Sequence, residues 1–227
     1  MTVERRDLAA LVVALLVAAG CVRLGFWQLD RLGQRRARNA VVAAARARPP
    51  LELRGWLPVD SVRDRRLRAR GVYDYAHEWL WRGRSYEGIP GVDVITPLRL
   101  ADGSAVFVDR GWAPSPDAYH LDQRLYRESD SANVSGFESS APRGRGDVDP
   151  ARLADSLPYR LAGFVLEQSP SDTPPVPRSA LRRWPPPELS NGPHLSYAIQ
   201  WFSFAAIIAV GSFVLLRQRA RGSGGYR

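Results

Sequence analysis

The chain is poor in the residues that bind metals and form disulfides. Its 227 residues include one cysteine, one methionine and three histidines. A single cysteine cannot form a disulfide within the chain. It also cannot supply the thiolate pair of a copper or zinc site, or the Cys-x-x-Cys-His sequence that attaches a c-type haem. These absences exclude copper delivery and covalent haem attachment.

Lysine is absent, so all 32 basic residues are arginine and the net charge is +9. A composition rich in arginine and alanine and free of lysine is explained first by the overall base composition of the source genome. Positive charge can also indicate nucleic-acid binding, but no recognition motif for nucleic acid accompanies it. Arginines close to a membrane bind anionic headgroups. We therefore expect membrane lipids, and no nucleic acid, as partners of this charge.

Two apolar segments at opposite ends of the chain predict membrane-spanning helices. Leu195–Leu216 contains no charge over 22 residues. At about 1.5 Å per residue it reaches roughly 33 Å, enough for the hydrocarbon core of a bilayer. Near the N-terminus, Leu8–Val22 is apolar, Arg23 interrupts, and Leu24–Trp27 continues the apolar sequence. An arginine near the outer end of such a helix can extend its guanidinium to the headgroups.

The N-terminal segment has a second interpretation. A short apolar core behind Arg5 and Arg6 that ends in Ala19-Gly20-Cys21 is typical of a signal peptide, and resembles a lipoprotein cleavage site before Cys21. However, Ala18 stands where such sites prefer a larger aliphatic residue, and the apolar sequence continues to Phe26-Trp27. We therefore favour a retained anchor.

The distribution of arginine favours cytoplasmic termini. Both tails contain arginines, at positions 5, 6, 217, 219, 221 and 227, as the positive-inside rule expects. Six more follow the first span, at 31, 35, 36, 38, 46 and 48. They oppose this orientation, but a long translocated loop largely escapes the rule, and this loop runs from about Asp30 to Gly192. We expect a multi-pass protein of the cell membrane whose central domain is extracytoplasmic.

The predicted organisation has four parts. They are a cytoplasmic tail and first transmembrane helix over 1–28, an extracytoplasmic β-rich domain over 29–192, a second transmembrane helix over 193–216, and a basic cytoplasmic tail over 217–227.

The central domain is predicted to be α+β and rich in strands. A charged helix continues from the first span to Ala47 and stops at Pro49-Pro50. Strands are predicted at Leu67–Trp81, Val92–Leu100, Ala105–Trp112 and Tyr159–Leu166, with a hairpin turn at Asp102-Gly103, a short helix at Asp149–Leu157, an irregular insertion at Glu128–Arg145 and an extended segment at Ser169–Asn191. We expect a partly closed antiparallel sheet.

Three segments, at the exit from the first span, in the central hairpin and at the entry to the second span, form a recognisable set. They are Leu24-Gly25-Phe26-Trp27-Gln28-Leu29-Asp30-Arg31; Gly88–Gly91 with Thr96-Pro97-Leu98 and Val108-Asp109-Arg110-Gly111-Trp112-Ala113-Pro114; and Pro193-His194-Leu195-Ser196-Tyr197-Ala198-Ile199-Gln200-Trp201-Phe202. Together they resemble the bacterial form of the surfeit locus protein 1 family of cytochrome c oxidase assembly factors. Their order and spacing match the family over nearly the whole chain. The Ser/Gly-rich insertion matches nothing, and Asp109 stands where asparagine is common.

The resemblance implies an assembly factor that binds haem A transiently and assists its insertion into the catalytic subunit of a haem-copper oxidase, with haem A synthase as a candidate further partner. The alternative is a membrane scaffold that stabilises an oxidase intermediate without binding haem. No nucleophile elbow, metal-binding histidine pair or phosphate loop is present in the sequence, so we expect no enzyme activity.

One candidate haem site lies where the chain meets the membrane. On a helix His194, Tyr197, Trp201 and Phe204 share one face, and an imidazole with an aromatic wall suits haem iron and porphyrin. The same pattern is typical of an interfacial aromatic belt. With the family, it predicts His194 as the iron ligand. The other candidate haem-binding residues are Tyr197, Trp201, Trp27, Gln28 and Arg31, although lipid phosphate competes for Arg31 and for Arg23.

The remaining candidates are predicted to be structural. Gly111 stands between Arg110 and Trp112 after an apolar strand, which indicates a bulge or a turn with positive φ. His77 and His120 fall in the predicted sheet or its loops, where we expect surface histidines or histidines with hydrogen-bond partners.

Overall fold

A computed structural model describes residues 5–139, 148–170 and 180–222. Residues 140–145 of the predicted insertion, residues 171–179 of the predicted extended segment and Arg227 lie outside the described residues. Two long apolar helices flank a domain rich in β-strands, as predicted. The chain forms two compact units, which we call the helical unit (residues up to Val41 and from Leu189) and the sheet unit (Val42–Glu188).

The described residues contain four α-helices and seven strands. The helices are α1 (Arg5–Ala47), α2 (Val59–Val62), α3 (Pro150–Leu153) and α4 (His194–Gly222). The strands are β1 (Leu51–Leu53), β2 (Arg66–Tyr73), β3 (Trp79–Tyr86), β4 (Ile89–Arg99), β5 (Ala105–Pro114), β6 (Ser131–Ser139) and β7 (Leu161–Gln168).

In the helical unit α1 and α4 pack antiparallel through a narrow seam. Its members are buried or half-buried and lie three or four residues apart on each helix, with one interval of seven: Leu11, Ala14, Ala18, Cys21, Gly25, Gln28, Leu32 and Asn39 on α1, and His194, Ala198, Trp201, Ala205, Ile208 and Ser212 on α4. This spacing is that of a coiled-coil contact. Half of these residues are alanine, glycine, cysteine or serine, the small residues common between helices in lipid. The half-buried Phe202 also joins the seam, against Gly25 and Phe26.

Both helices are long and apolar enough to cross a membrane. Their apolar side chains outside the seam are mostly exposed, including Leu15, Leu16 and Val17 on α1 and Ile207 and Val210 on α4. An exposed apolar surface of this length is what lipid covers in a spanning helix. The charged extension of α1 ends at Ala47, two residues before Pro49, as predicted.

The sheet closes on itself. Its strand order is β1-β2-β6-β7-β5-β4-β3, and β2 also pairs with β4 at Val72–Arg99 and Tyr73–Leu98. Strands β2, β6, β7, β5 and β4 therefore form a barrel, flanked by β1 and β3. The predicted antiparallel arrangement is wrong for two pairs, because β1–β2 and β5–β7 are parallel. In both cases a connection of a dozen or more residues lets the chain cross over.

Two further sequence predictions are corrected. The predicted strand Leu67–Trp81 is divided by a 3₁₀ turn at Tyr75–His77, which Asp74 caps by accepting from the Ala76 N–H. The predicted irregular insertion contains β6, which pairs with β2 and β7. At Gly136 a Cβ would lie 2.0 Å from the Glu167 carbonyl oxygen. This strand is therefore made by close pairing with its neighbours and not by β-propensity of its own.

Strand β5 is buried on both faces. Val106 and Val108 belong to one hydrophobic cluster with Leu67, Leu98, Phe164 and Leu166, whereas Ala105 and Phe107 belong to another with Trp81, Ile95 and Val165. Alternate residues of a strand point to opposite faces, which explains the division. The predicted β4–β5 hairpin turn is present, with Asp102 accepting from the Ser104 N–H, and α3 begins with an Asp149 cap.

Candidate functional site

His194 is the first residue of α4 and contacts α1 directly. Its Nδ1 lies 2.8 Å from Oε1 of Gln28, although 166 residues separate the two in sequence. A carboxamide oxygen can only accept a hydrogen bond, so with Oε1 of Gln28 facing the ring the bond is made by a protonated Nδ1. In a neutral imidazole the lone pair is then on Nε2. The ring has one nitrogen engaged by the protein and one nitrogen available to a ligand.

Polar side chains of α1 bind the segment that precedes His194. Asn39 donates from Nδ2 to the carbonyl oxygens of Leu189 (3.2 Å) and Ser190 (3.1 Å), and lies 3.2 Å from Oδ1 of Asn191. Arg35 donates from Nε to the Ser190 carbonyl at 3.2 Å. These bonds restrain the backbone from which the histidine ring extends.

Gly192 completes this segment. Its φ of +69° lies in the left-handed region, which favours glycine. A Cβ at this position would lie 3.5 Å from Cδ2 and 3.6 Å from Nε2 of His194. The absence of a side chain therefore keeps space beside the nitrogen that carries the lone pair.

The aromatic candidates are divided between contacts in the helix pair and exposed positions. Phe26 and Phe202 meet edge to face at 5.3 Å, and Trp201 meets Phe204 edge to face at 6.0 Å. Tyr197 is 46% exposed and Phe204 49% exposed. Tyr197, Trp201 and Phe204 thus leave a partly open aromatic surface on α4 below His194.

The structure does not join all the predicted haem-binding residues into one contact network. His194 and Gln28 form a hydrogen bond, whereas Arg31 places its guanidinium 5.4 Å from the centre of the Trp27 ring and donates to Gln34. Trp27 is 47% exposed. The Trp27–Arg31 pair therefore presents an aromatic face and a cation on one side of α1.

The predicted motif in the sheet unit surrounds a fully buried arginine. The Arg110 side chain has no exposed surface, and its Nη1 donates to Oε2 of Glu78 at 2.9 Å. Nη2 donates to the Tyr126 carbonyl oxygen. The rings of Tyr73 and Tyr75 lie 5.3 and 5.2 Å from the guanidinium carbon. Burial raises the pKa of Glu78, opposed by hydrogen bonds from Thr96 and Arg110.

The next two residues have tight backbone surroundings. Gly111 has a φ of +126°, and a Cβ there would lie 2.6 Å from the Arg182 carbonyl oxygen. The β4–β5 register shifts between Val94 and Ile95, opposite this glycine. The expected bulge and the expected positive φ are both present. Trp112 exchanges two backbone hydrogen bonds with Arg182, at 2.7 and 2.8 Å.

Sequence reasoning missed a buried carboxyl cluster. Asp93 is fully buried, lies 2.5 Å from Nε of Arg84, and accepts from Trp184. Asp109 is 3% exposed and accepts from the Gly111 N–H at 2.9 Å. Burial raises the pKa of Asp109 well above 3.8, and the charges of Asp93 and Glu167 raise it further. The sequence signal for this cluster was the presence of one aspartate inside each of the apolar strands β4 and β5.

The other two histidines have carboxylate partners. His77 Nδ1 lies 2.9 Å from Asp74, and His120 Nδ1 lies 2.5 Å from Asp117. Within the described part of the chain, no group of three or more His, Cys, Asp or Glu side chains could bind a metal ion. His194 is thus a lone candidate ligand.

Comparison with known proteins decides the family. The SURF1 family model matches residues 15–206, a range that contains all three segments of the resemblance. The chain belongs to the SURF1 family. SURF1 proteins are known in general as membrane-anchored oxidase assembly factors and are not generally enzymes.

SURF1-like proteins similar to this chain occur in Mycobacterium and in Monosiga. The chain is 27% identical to uncharacterized SURF1-like proteins of Mycobacterium bovis and Mycobacterium tuberculosis, over 94% of this chain and 84% of each relative. It is 26% identical to a SURF1-like protein of Monosiga brevicollis, over 90% of this chain and 86% of that relative. The likeness extends over both helices and the sheet unit.

Proposed function

We propose that this SURF1 protein binds haem A as a transient cargo and assists its insertion into the catalytic subunit of cytochrome c oxidase. The single observation that carries the proposal is the His194–Gln28 hydrogen bond, because it leaves Nε2 of His194 as a lone-pair donor. The family supports a role in oxidase assembly, and the geometry of His194 supports the haem.

The residues present fit a haem. A porphyrin supplies the in-plane ligands of its own iron, so a lone imidazole suffices on the protein side, where a bare metal ion would need several ligands. Nε2 of His194 would bind the iron, and Tyr197, Trp201 and Trp27 would provide apolar ring surface. Arg31 would pair with a propionate, because guanidinium and carboxylate form a two-bonded fork.

A site with a single imidazole ligand suits the release of haem A. His194 is the single histidine among the described residues of the helical unit, so this unit offers one imidazole. When bound, haem A would supply an iron centre that Nε2 of His194 would hold. The protein's own task is to orient that imidazole, shield one porphyrin face with aromatic rings and give the cargo up.

We further propose that α1 and α4 cross the cell membrane with both termini cytoplasmic and the sheet unit outside. The support is the length and apolar surface of the helices and the arginines of both tails. The protein purified from cells should have an intact mass that starts near Met1. A mature chain that begins at a lipid-modified Cys21 would overturn the retained first span.

The haem proposal is tested by the absorbance spectrum of the detergent-solubilised protein from cells that produce haem A. Wild-type protein should carry a haem A spectrum, and His194→Ala should lose most of it while remaining in the membrane. The matched control is His120→Ala, since that ring is exposed and bound to Asp117. If His194→Ala retains wild-type spectrum and stoichiometry, the scaffold alternative becomes the better account.

A further inference from the structure

Gln28 stands in an unusual position for a polar residue of a long apolar helix. Its side chain is half-buried in the seam between α1 and α4, and its Oε1 is used by Nδ1 of His194. The sequence predicts Gln28 among the candidate haem-binding residues but indicates no specific task for it. The geometry indicates that its partner is the ligand and not the cargo.

We propose that Gln28 is a positioning residue that selects the tautomer of His194, so that Nε2 is the atom offered to iron. This inference rests on the proposed function. An imidazole can carry its single proton on either nitrogen, and only a nitrogen without the proton can bind a metal. With Oε1 of Gln28 facing the ring, as in this structure, the opposite tautomer would place two lone pairs against each other across 2.8 Å. This orientation of the amide therefore disfavours the opposite tautomer.

The position of the ring is restrained from two further directions. Arg35 and Asn39, on the same helix as Gln28, bind the carbonyl oxygens of Leu189 and Ser190. The backbone before His194 is thereby tied to α1 beyond Gln28. Gly192 leaves room at Nε2, since its missing Cβ would lie 3.6 Å away. One nitrogen is bound, the backbone is tied, and the second nitrogen is left open.

A neutral amide also suits a transient ligand. Partners of a metal-binding histidine raise its basicity, and a carboxylate does so more strongly than an amide because the bond is charge-assisted. The other two histidines of the chain have carboxylate partners, Asp74 and Asp117. Only His194 is paired with an amide among the three. Gln28 therefore fixes the ring orientation without strengthening the iron bond as a carboxylate would.

The first experiment uses the haem-free protein. Full-length chain labelled with ¹⁵N-histidine, in detergent and at a pH that keeps imidazole neutral, should show His194 with a protonated Nδ1 and an unprotonated Nε2. Gln28→Met, which keeps the length and removes the acceptor, should give a mixture of tautomers. Gln218→Met is the matched control, because it replaces an exposed glutamine near the far end of α4 and should leave the His194 signals unchanged.

The second experiment measures haem loss from the loaded protein. Gln28→Met should release haem about 10- to 100-fold faster, the usual effect of losing the partner of a metal-binding histidine. Gln28→Glu keeps an acceptor and adds charge, so it should preserve the Nδ1–H tautomer and slow release. This variant keeps the test decisive if Gln28→Met fails to insert.

The outcomes separate the two proposals. A wild-type His194 protonated mainly on Nε2, or tautomers unaffected by Gln28→Met, overturns the role of Gln28. Retention of haem by His194→Ala, with the tautomers as expected, overturns the haem proposal instead and leaves the Gln28–His194 pair as a structural bond.

Discussion

The two units of the chain differ in how they place polar groups. In the sheet unit, full charges are buried, as Arg110 with Glu78 and Asp93 with Arg84 show. In the helical unit, the seam contains small residues and the amide–imidazole pair Gln28–His194, while arginines such as Arg23, Arg31 and Arg36 are exposed. A barrel wall can surround an ion with backbone and side-chain partners, whereas a helix in lipid has few. Buried ion pairs therefore support the fold of the sheet unit, whereas charged side chains of the helical unit lie on its surface.

The largest effect should come from Arg110→Met. It leaves Glu78 buried without its guanidinium, and removal of one partner from a buried ion pair costs about 3–5 kcal/mol. The free energy of unfolding of the full chain in detergent, followed by near-ultraviolet circular dichroism, measures this loss. The far-ultraviolet helix signal should persist after the sheet unit has unfolded.

A double variant checks the cause. Glu78→Gln added to Arg110→Met removes the orphaned charge while keeping an acceptor for the Thr96 hydroxyl. It should recover a part of the lost stability. If the double variant is as unstable as Arg110→Met, packing of the guanidinium between Tyr73 and Tyr75 matters more than its charge.

The second effect concerns Gly111 and Gly83, which both have positive φ. At Gly83 a Cβ would meet no atom within 4 Å, whereas at Gly111 it would meet the backbone of Arg182. Strain at a positive-φ site costs on the order of 1–3 kcal/mol. Gly111→Ala should exceed Gly83→Ala in thermal destabilisation, because only the former adds a collision with backbone. Equal losses would show that the 2.6 Å approach is easily relaxed.

The third prediction is a gain in thermal stability. Asp109→Asn removes a carboxyl whose charged form is disfavoured by burial, and it keeps the oxygen that accepts from Gly111. At neutral pH it should raise the Tm by a few degrees, since a change of 1 kcal/mol shifts the Tm of a chain of this size by about 2–4 °C.

The pH dependence of the same group has a definite sign. A carboxyl whose pKa is raised in the folded chain retains a proton that the unfolded chain has lost, so stability falls as pH rises above the ordinary value of 3.8. The wild-type Tm should therefore increase when the pH is lowered from 7 toward about 5. Asp109→Asn should show a smaller increase, and identical slopes would contradict the assignment to Asp109.

The smallest effect should come from Gly25→Ala in the helical unit. A Cβ would lie 2.6 Å from the Phe202 ring, but a ring at the end of a side chain can turn. Alanine also favours a helix over glycine by about 1 kcal/mol. We expect the cost of moving the Phe202 ring and the gain in helix propensity nearly to cancel in the free energy of unfolding. Gly20→Ala, with nothing within 4 Å, should show the gain alone, and the difference between the two variants in helix thermal stability measures the seam contact.

Much of the fold follows from local pattern. The uncharged segment from Leu195 predicts α4, Pro49-Pro50 marks the end of α1, and Asp102-Gly103 predicts the hairpin. Strand β6 escaped prediction because its serine, asparagine and glycine residues have low β-propensity, and pairing across Gly136 decides its structure. The parallel pairs also escaped, since strand direction depends on which distant strands meet.

The candidate site was only partly predictable for the same reason. Two predicted membrane spans joined by an extracytoplasmic domain have their outer ends at the same depth in the membrane. This prediction brings the Gln28 region close to the His194 region. It does not show that Gln28 contacts Nδ1, because that depends on the helical phase of two segments 166 residues apart. The partners of Arg110 and Asp109 likewise come from distant strands.

The seam on α1 has a consequence for insertions and deletions. Gln28, Arg35 and Asn39 engage α4 or the segment before it, so their helical phase must be preserved. One residue inserted between positions 28 and 35 would rotate everything beyond it by about 100°, and two by about 200°. Seven residues would return the phase to within about 20°. The same seven residues would also lengthen the helix by about 10 Å, so the bonds of Gln28 and Asn39 could be kept together only if the segment before His194 lengthened with the helix.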